Sequence, residues 1–160
     1  MSQFTQRSEF KDIPNMIKPT IKFYEDEGKT TIRQELFTNE ALKWAKEIVR
    51  DDLTVNQLRK YYSEVVSLKQ KIESSNVENF KQFLPLIRMI KSKVSYSYGK
   101  EKGNRVKWNS FKKFMDEMID SINDYKDFFA FCLFFESVLG YYYGEKADKE
   151  SERQKEQRRK

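Results

Sequence analysis

Apolar positions along this chain recur at intervals of three and four from about residue 38 to residue 143. That is the period of helices that bury one face, and no strand-like alternation of any length competes with it. The pattern predicts five helices. Thr38 or Asn39 can cap the first, whose stripe is Ala41, Leu42, Trp44, Ala45, Ile48 and Val49, and Asp51 and Asp52 end it. The second lies in LTVNQLRKYYSEVVSLKQKIE. Thr54 as N-cap with Gln57 three residues on makes a capping box, and Leu53 and Leu58 have the spacing of a hydrophobic staple. Its stripe is Leu58, Tyr61, Tyr62, Val65, Leu68 or Lys69, and Ile72, with Arg59, Lys60, Ser63, Ser67 and Lys71 opposite.

A third helix is expected from about Ser75, with Glu78 at N3 and Phe80, Phe83, Leu84, Ile87, Ile90 and Val94 inward. Pro85 lacks a donor and clashes with the preceding turn, so the segment must kink there or restart. A fourth helix covers roughly Val106–Asn123, on Trp108, Phe111, Met115, Met118, Ile119 and Ile122. A fifth covers about Asp124–Tyr143, with Phe128, Phe131, Cys132, Phe135, Val138, Leu139 and Tyr142 as its stripe. Phe129, Leu133, Phe134, Tyr141 and Tyr143 fall off that stripe. A helix apolar nearly all round is either central or covered by a partner. Gly144 can terminate it.

The fold class is therefore all-α, a compact bundle of about five helices in one domain over residues 38–144. Residues 1–37 hold Pro14, Pro19 and the turn-like EDEGKTT and read as a flexible, partly ordered extension. Residues 145–160, EKADKESERQKEQRRK, read as a charged tail, disordered or a frayed continuation of the last helix. No apolar run is long enough for a signal peptide or a membrane span, so the expectation is a cytoplasmic protein without a membrane partner.

Charge changes the picture. The net +6 of the chain is unevenly spread. Residues 1–52 carry 9 Lys/Arg and 10 Asp/Glu, residues 53–113 carry 14 and 4, and residues 114–160 carry 8 and 11. The basic excess belongs to the middle third, which points to a polyanionic partner, against the alternative of a solvated helix face. Composition removes several chemistries. There is no histidine and one cysteine, Cys132, in an apolar run. A Cys/His zinc site, a Ser-His or Cys-His nucleophile and an internal disulfide all lack their residues. No nucleotide-binding glycine motif is present, acidic residues are scarce in the basic region, and no catalytic constellation, metal site or cofactor is expected.

What remains is a basic, aromatic-interleaved helical face. Such faces hold phosphates without reading sequence, and aromatics can stack on unpaired bases. The candidates are Arg59 and Lys60 on the second helix, Arg88, Lys91, Lys93 and Tyr96 on the third, then Gly99, Lys100, Lys102 and Arg105 in the turn beyond. If the two helices pack antiparallel, Arg59 and the Gly99 turn share one end of the bundle. Gly99 would end the helix and leave its backbone open to a phosphate. Tyr96 and Tyr98 alternate by two, so they cannot share a helix face.

The blocks LTVNQLRKYYSEV, IKSKVSYSYGKEK and FFAFCLFFESVLGYYYG, in this order, resemble the small subunit of type III-A CRISPR interference (Csm) complexes over roughly residues 53–144. The resemblance implies an all-α bundle without enzymatic activity. Several copies would stack along the guide-RNA/target-RNA duplex, contact RNA backbone and face the repeating backbone subunits, with cleavage left to other subunits. The implied partners are guide RNA, target RNA, other Csm subunits and further copies of the chain. Arg59, Lys60, Lys91, Lys93, Tyr96 and Gly99 fall on the family's pattern. Lys100 stands where the family has arginine, keeping the charge and losing the bidentate fork. The resemblance also reads the surplus apolar residues of the last helix, Phe129, Phe134, Tyr141 and Tyr143, as subunit contacts. Two alternatives stand beside it: a helix-turn-helix DNA-binding regulator and a purely structural helical adaptor.

Overall fold

The computed structural model describes residues 21–101 and 107–160. Five helices form the bundle: α1 (Asn39–Val49), α2 (Val55–Ser75), α3 (Phe80–Lys100), α4 (Asn109–Asp120) and α5 (Tyr125–Arg158). Short 3₁₀ turns precede α1 (Gln34–Phe37) and α3 (Val77–Asn79). The core is almost wholly aliphatic and aromatic. Phe111, Phe114, Phe128, Phe131, Phe134 and Phe135 are fully buried, and rings of Phe114 and Phe131 meet Phe135 at 5.6 and 5.9 Å. Each such side chain removed from water contributes about 2–3 kcal/mol. Burial of α5 explains why its sequence is apolar beyond one stripe.

The capping box forms as expected. Gln57 N–H donates to Thr54 Oγ1 at 3.1 Å, and Thr54 N–H donates to the Gln57 side-chain oxygen at 2.9 Å. Leu53 and Leu58 are both fully buried beside it. Four boundaries differ from the sequence reading. Ser75 closes α2 instead of opening the third helix. Asn76 is extended (φ −175°) and its side chain accepts from Glu78 N–H, so the chain turns there before α3 starts at Phe80. α3 does not restart at Pro85. The carbonyl that its missing N–H would have served is that of Lys81; both residues are exposed, so water can take the acceptor.

α4 is shorter than expected, because Trp108 lies outside it in the left-handed region (φ 74°) with no side-chain cap of its own. Asp51, at the end of α1, supplies the cap instead. Its carboxylate accepts from Ser110 N–H at 3.0 Å and Phe111 N–H at 2.8 Å. Burial pushes the Asp51 carboxyl up from its usual range, against the pull of those two donors. α5 passes straight through Gly144 and continues to Arg158. A glycine in a helix costs about 1 kcal/mol but does not compel a stop, and the Glu, Lys, Ala, Gln and Arg that follow are good helix formers. Tyr142 and Lys146, flanking Gly144, both donate to the Leu53 carbonyl at 2.5 Å and hold this stretch against the start of α2.

Residues 21–37 are also built in. Tyr24 and Ile32 form an isolated antiparallel bridge around a turn in which Asp26 accepts from Thr30 and Thr31 N–H. Phe23, Tyr24 and Leu36 are buried. Tyr24 O–H donates to the Lys126 carbonyl at 2.6 Å, and Lys29 pairs with Asp124 at 2.5 Å and Asp127 at 2.9 Å. Burial opposes the Asp124 charge, but the Lys29 ammonium and the Asp127 N–H outweigh it and hold the carboxyl below its usual value. Residues 1–20, with Pro14 and Pro19, lie outside the described residues. Among the described residues no helix is long and apolar enough to cross a membrane. Burial pushes the Cys132 thiol up to about 12, as suits a small core residue.

Candidate nucleic-acid interface

α2 and α3 pack antiparallel. Gln57 and Glu101 share one cavity wall, Tyr61 reaches Lys93 and Ser97, and Glu64 pairs with Lys93, so positions advance along one helix as they retreat along the other. Tyr61 is the bolt. Its hydroxyl donates to the Lys93 carbonyl at 3.0 Å, which leaves it to accept from Ser97 Oγ at 2.6 Å. The condition set from sequence is met: the start of α2 and the end of α3 lie together.

A surface groove of about 380 Å³ runs along this junction, lined by Lys60, Tyr61, Glu64, Ser92, Lys93, Tyr96, Ser97 and Lys100. A smaller cavity of about 180 Å³ adjoins it, sharing Lys60, Tyr61, Ser97 and Lys100 and adding Gln57, Glu101 and Trp108. The two carboxylates on these walls are matched, Glu64 by Lys93 and Glu101 by Lys107 at 3.5 Å. Lys60 and Lys100 have no carboxylate partner among the described residues, so the groove keeps a net positive charge. A larger cavity of about 410 Å³ beside the N-terminal loop holds Asp26, Glu27 and Asp127 against Lys22 and Lys29, the wrong balance for a polyanion.

The sequence candidates divide. Lys60, Lys93, Tyr96 and Lys100 meet in the groove. Arg59 is exposed on the first turns of α2, unpaired among the described residues but outside the groove wall. Arg88 and Lys91 are turned the other way. The Arg88 guanidinium donates to the carbonyls of Ile119 and, at 2.8 Å, Ile122, while Lys91 pairs with Asp120 at 2.5 Å. Both tie α3 to the C-terminal end of α4, the end of a helix that attracts cations. Gly99 does not end α3; it lies within the last turn, exposed, with open space where a Cβ would stand. Lys102 and Arg105 lie outside the described residues.

Tyr96 and Tyr98 part as their alternation requires. Tyr96 is 70% exposed, whereas Tyr98 packs on the core with Lys112 over its ring at 5.9 Å. Sequence reasoning missed Gln57, Ser97 and Trp108 as groove and cavity walls. Gln57 reads as half of a capping box, Trp108 as a stripe residue, and Ser97 carries no signal of its own. Trp108 combines a left-handed backbone with a buried indole N–H that has no acceptor among the described residues. Of the expected subunit contacts, Phe134 is fully buried against Phe114, with ring centroids 5.7 Å apart, and is core. Phe129 is half-buried under Lys69. Tyr141 and Tyr143 remain exposed, with Tyr141 O–H donating to the Phe37 carbonyl at 3.2 Å.

The family model described as Csm2 Type III-A matches residues 31–147. That span takes in all of α1 to α4, most of α5 and both walls of the groove. No curated protein and no solved structure matches the chain significantly. The chain belongs to the Csm2 Type III-A family, the small subunits of the type III-A CRISPR Csm complex.

Proposed function

We propose that this Csm2-family chain is a non-catalytic RNA-binding subunit that stacks in several copies along the guide–target duplex and holds RNA phosphates through its α2–α3 face. The observation that carries the reading is the pairing of charges in the groove. Every carboxylate on its walls is matched, while Lys60 and Lys100, from two different helices, are left over at one place. Two cations held by a hydrogen-bonded helix pair form a preorganised phosphate seat, and Arg59 on the adjoining turn extends the field. Contacts to backbone carry no sequence information, which suits a subunit that serves any guide.

A helix-turn-helix regulator fits less well. α2 and α3 are 21 residues each and antiparallel, unlike the short crossed pair that lays a recognition helix in the major groove. Exposed Tyr141 and Tyr143 on α5 are the candidates for contact with other subunits or copies. The test is reconstitution with the other Csm subunits and a guide RNA, followed by RNA binding across salt. The chain should enter the complex in more than one copy. With about four to six phosphate contacts, the log–log salt slope should be of order −3 to −5, with little sequence preference. Salt-independent or strongly sequence-selective binding contradicts the proposal.

A further inference from the structure

We infer that the α2–α3 groove takes one unpaired nucleotide, its base stacked on Tyr96 and its phosphate between Lys60 and Lys100. The inference rests on the RNA-binding reading above and names the form of RNA that the groove prefers. A track for phosphates alone needs only cations. Here the most exposed large apolar side chain among the described residues stands inside the cationic groove. The Tyr96 side chain makes no hydrogen bond, ring contact or cation–π contact with the other described residues. It lies one helical turn from Lys100 and one from Ser92, so all three share a face of α3. Tyr98, two residues on, shows the ordinary fate of an aromatic here: it packs on the core.

An aromatic face among cations is a stacking platform for a base, and stacking tolerates any sequence. Paired A-form RNA keeps its bases inside the helix and offers phosphates and 2′-hydroxyls, so a base reaches Tyr96 only where the strand is single or a nucleotide is turned out. The groove volume of about 380 Å³ suits one small ligand rather than a helix. The adjoining cavity beside Lys60 and Lys100 extends it on the side away from Ser92, giving the phosphate its own end.

The test uses the full chain, fluorescence anisotropy and three probes: a short oligouridylate, an abasic ribose-phosphate strand of equal length, and a blunt RNA duplex. Tyr96→Leu should weaken oligouridylate binding about tenfold, while Tyr96→Phe, which keeps the ring, stays within about twofold of wild type. On the abasic strand and the duplex, Tyr96→Leu and wild type should bind alike. The melting temperature should not move, since Tyr96 buries little. Lys60→Ala/Lys100→Ala should weaken all three probes. If Tyr96→Leu matches wild type on oligouridylate, or weakens the abasic strand equally, the nucleotide inference is overturned while the lysine result still upholds RNA binding. If wild type binds none of the probes, the RNA-binding reading itself falls.

Discussion

The two halves of α3 carry the same kind of residue and use it in opposite ways. Arg88 and Lys91 face α4, where they occupy the carbonyls and the carboxylate at its C-terminal end. One to three turns later, Tyr96 and Lys100 face the groove with α2, unpaired among the described residues. Lys93 stands between the two regimes, lining the groove while neutralising Glu64. A sequence counts these cations equally. The fold commits some of them to its own helix ends and carboxylates, and only the remainder is available to a polyanion.

Perturbing the committed cations and the groove cations separately should produce opposite signatures. Arg88→Met leaves two carbonyls of the α4 end without their charged donor and should cost about 2–3 kcal/mol, or roughly 5–10 °C in melting temperature. RNA affinity per folded molecule should stay as it is. Lys60→Ala/Lys100→Ala should do the reverse, leaving the thermal melt unchanged and lowering RNA affinity about tenfold or more at low salt. A melt that shifts with the lysines, or an affinity that falls with Arg88, would erase the distinction.

Acid titration probes a third use of charge. The Asp124 carboxyl is held below its usual value, so its ion pair with Lys29 adds stability above the ordinary carboxylate pKa of about 4 and loses it as pH falls through the lower folded value. Asp124→Asn should flatten that part of the acid-unfolding curve, by a modest amount because the pair is partly open to solvent. Asp51 is shifted upward, so its ionisation works against stability as pH rises and cannot account for loss at low pH. The smallest effect is expected at Gly144, where a Cβ meets nothing. Gly144→Ala should stabilise α5 by up to about 1 kcal/mol, read as higher helicity at elevated temperature. Loss of helicity would mean that α5 ends there after all.

The bundle was legible in the sequence because burial writes a local period. The capping box at Thr54 and Gln57 and the inward stripes of α2 and α5 follow from spacing alone. Features set by distant partners were not legible. The cap of α4 comes from Asp51, more than fifty residues away in sequence, and Trp108 therefore lies outside the helix that its spacing suggested. Continuation of α5 past Gly144 was one of two readings of the tail; the hold of Tyr142 and Lys146 on the Leu53 carbonyl was not visible in the sequence. In the site, the antiparallel meeting of α2 and α3 was foreseeable as a condition, and the start of α2 and the end of α3 lie together as it requires, although Arg59 falls outside the groove wall. The engagement of Arg88 and Lys91 was hidden, because only the fold reveals which carbonyls and carboxylates lie opposite.

The most direct measurement is the salt dependence of RNA binding for wild type, Lys60→Ala/Lys100→Ala and Lys91→Met, each at a temperature where it is fully folded. The log–log slope should shrink by about 1.5–2 for the double variant, whose two missing ammonium groups no longer neutralise phosphates, and stay at the wild-type value for Lys91→Met. Equal slopes in all three, or an equal loss from Lys91→Met, would contradict the assignment of RNA binding to the α2–α3 groove.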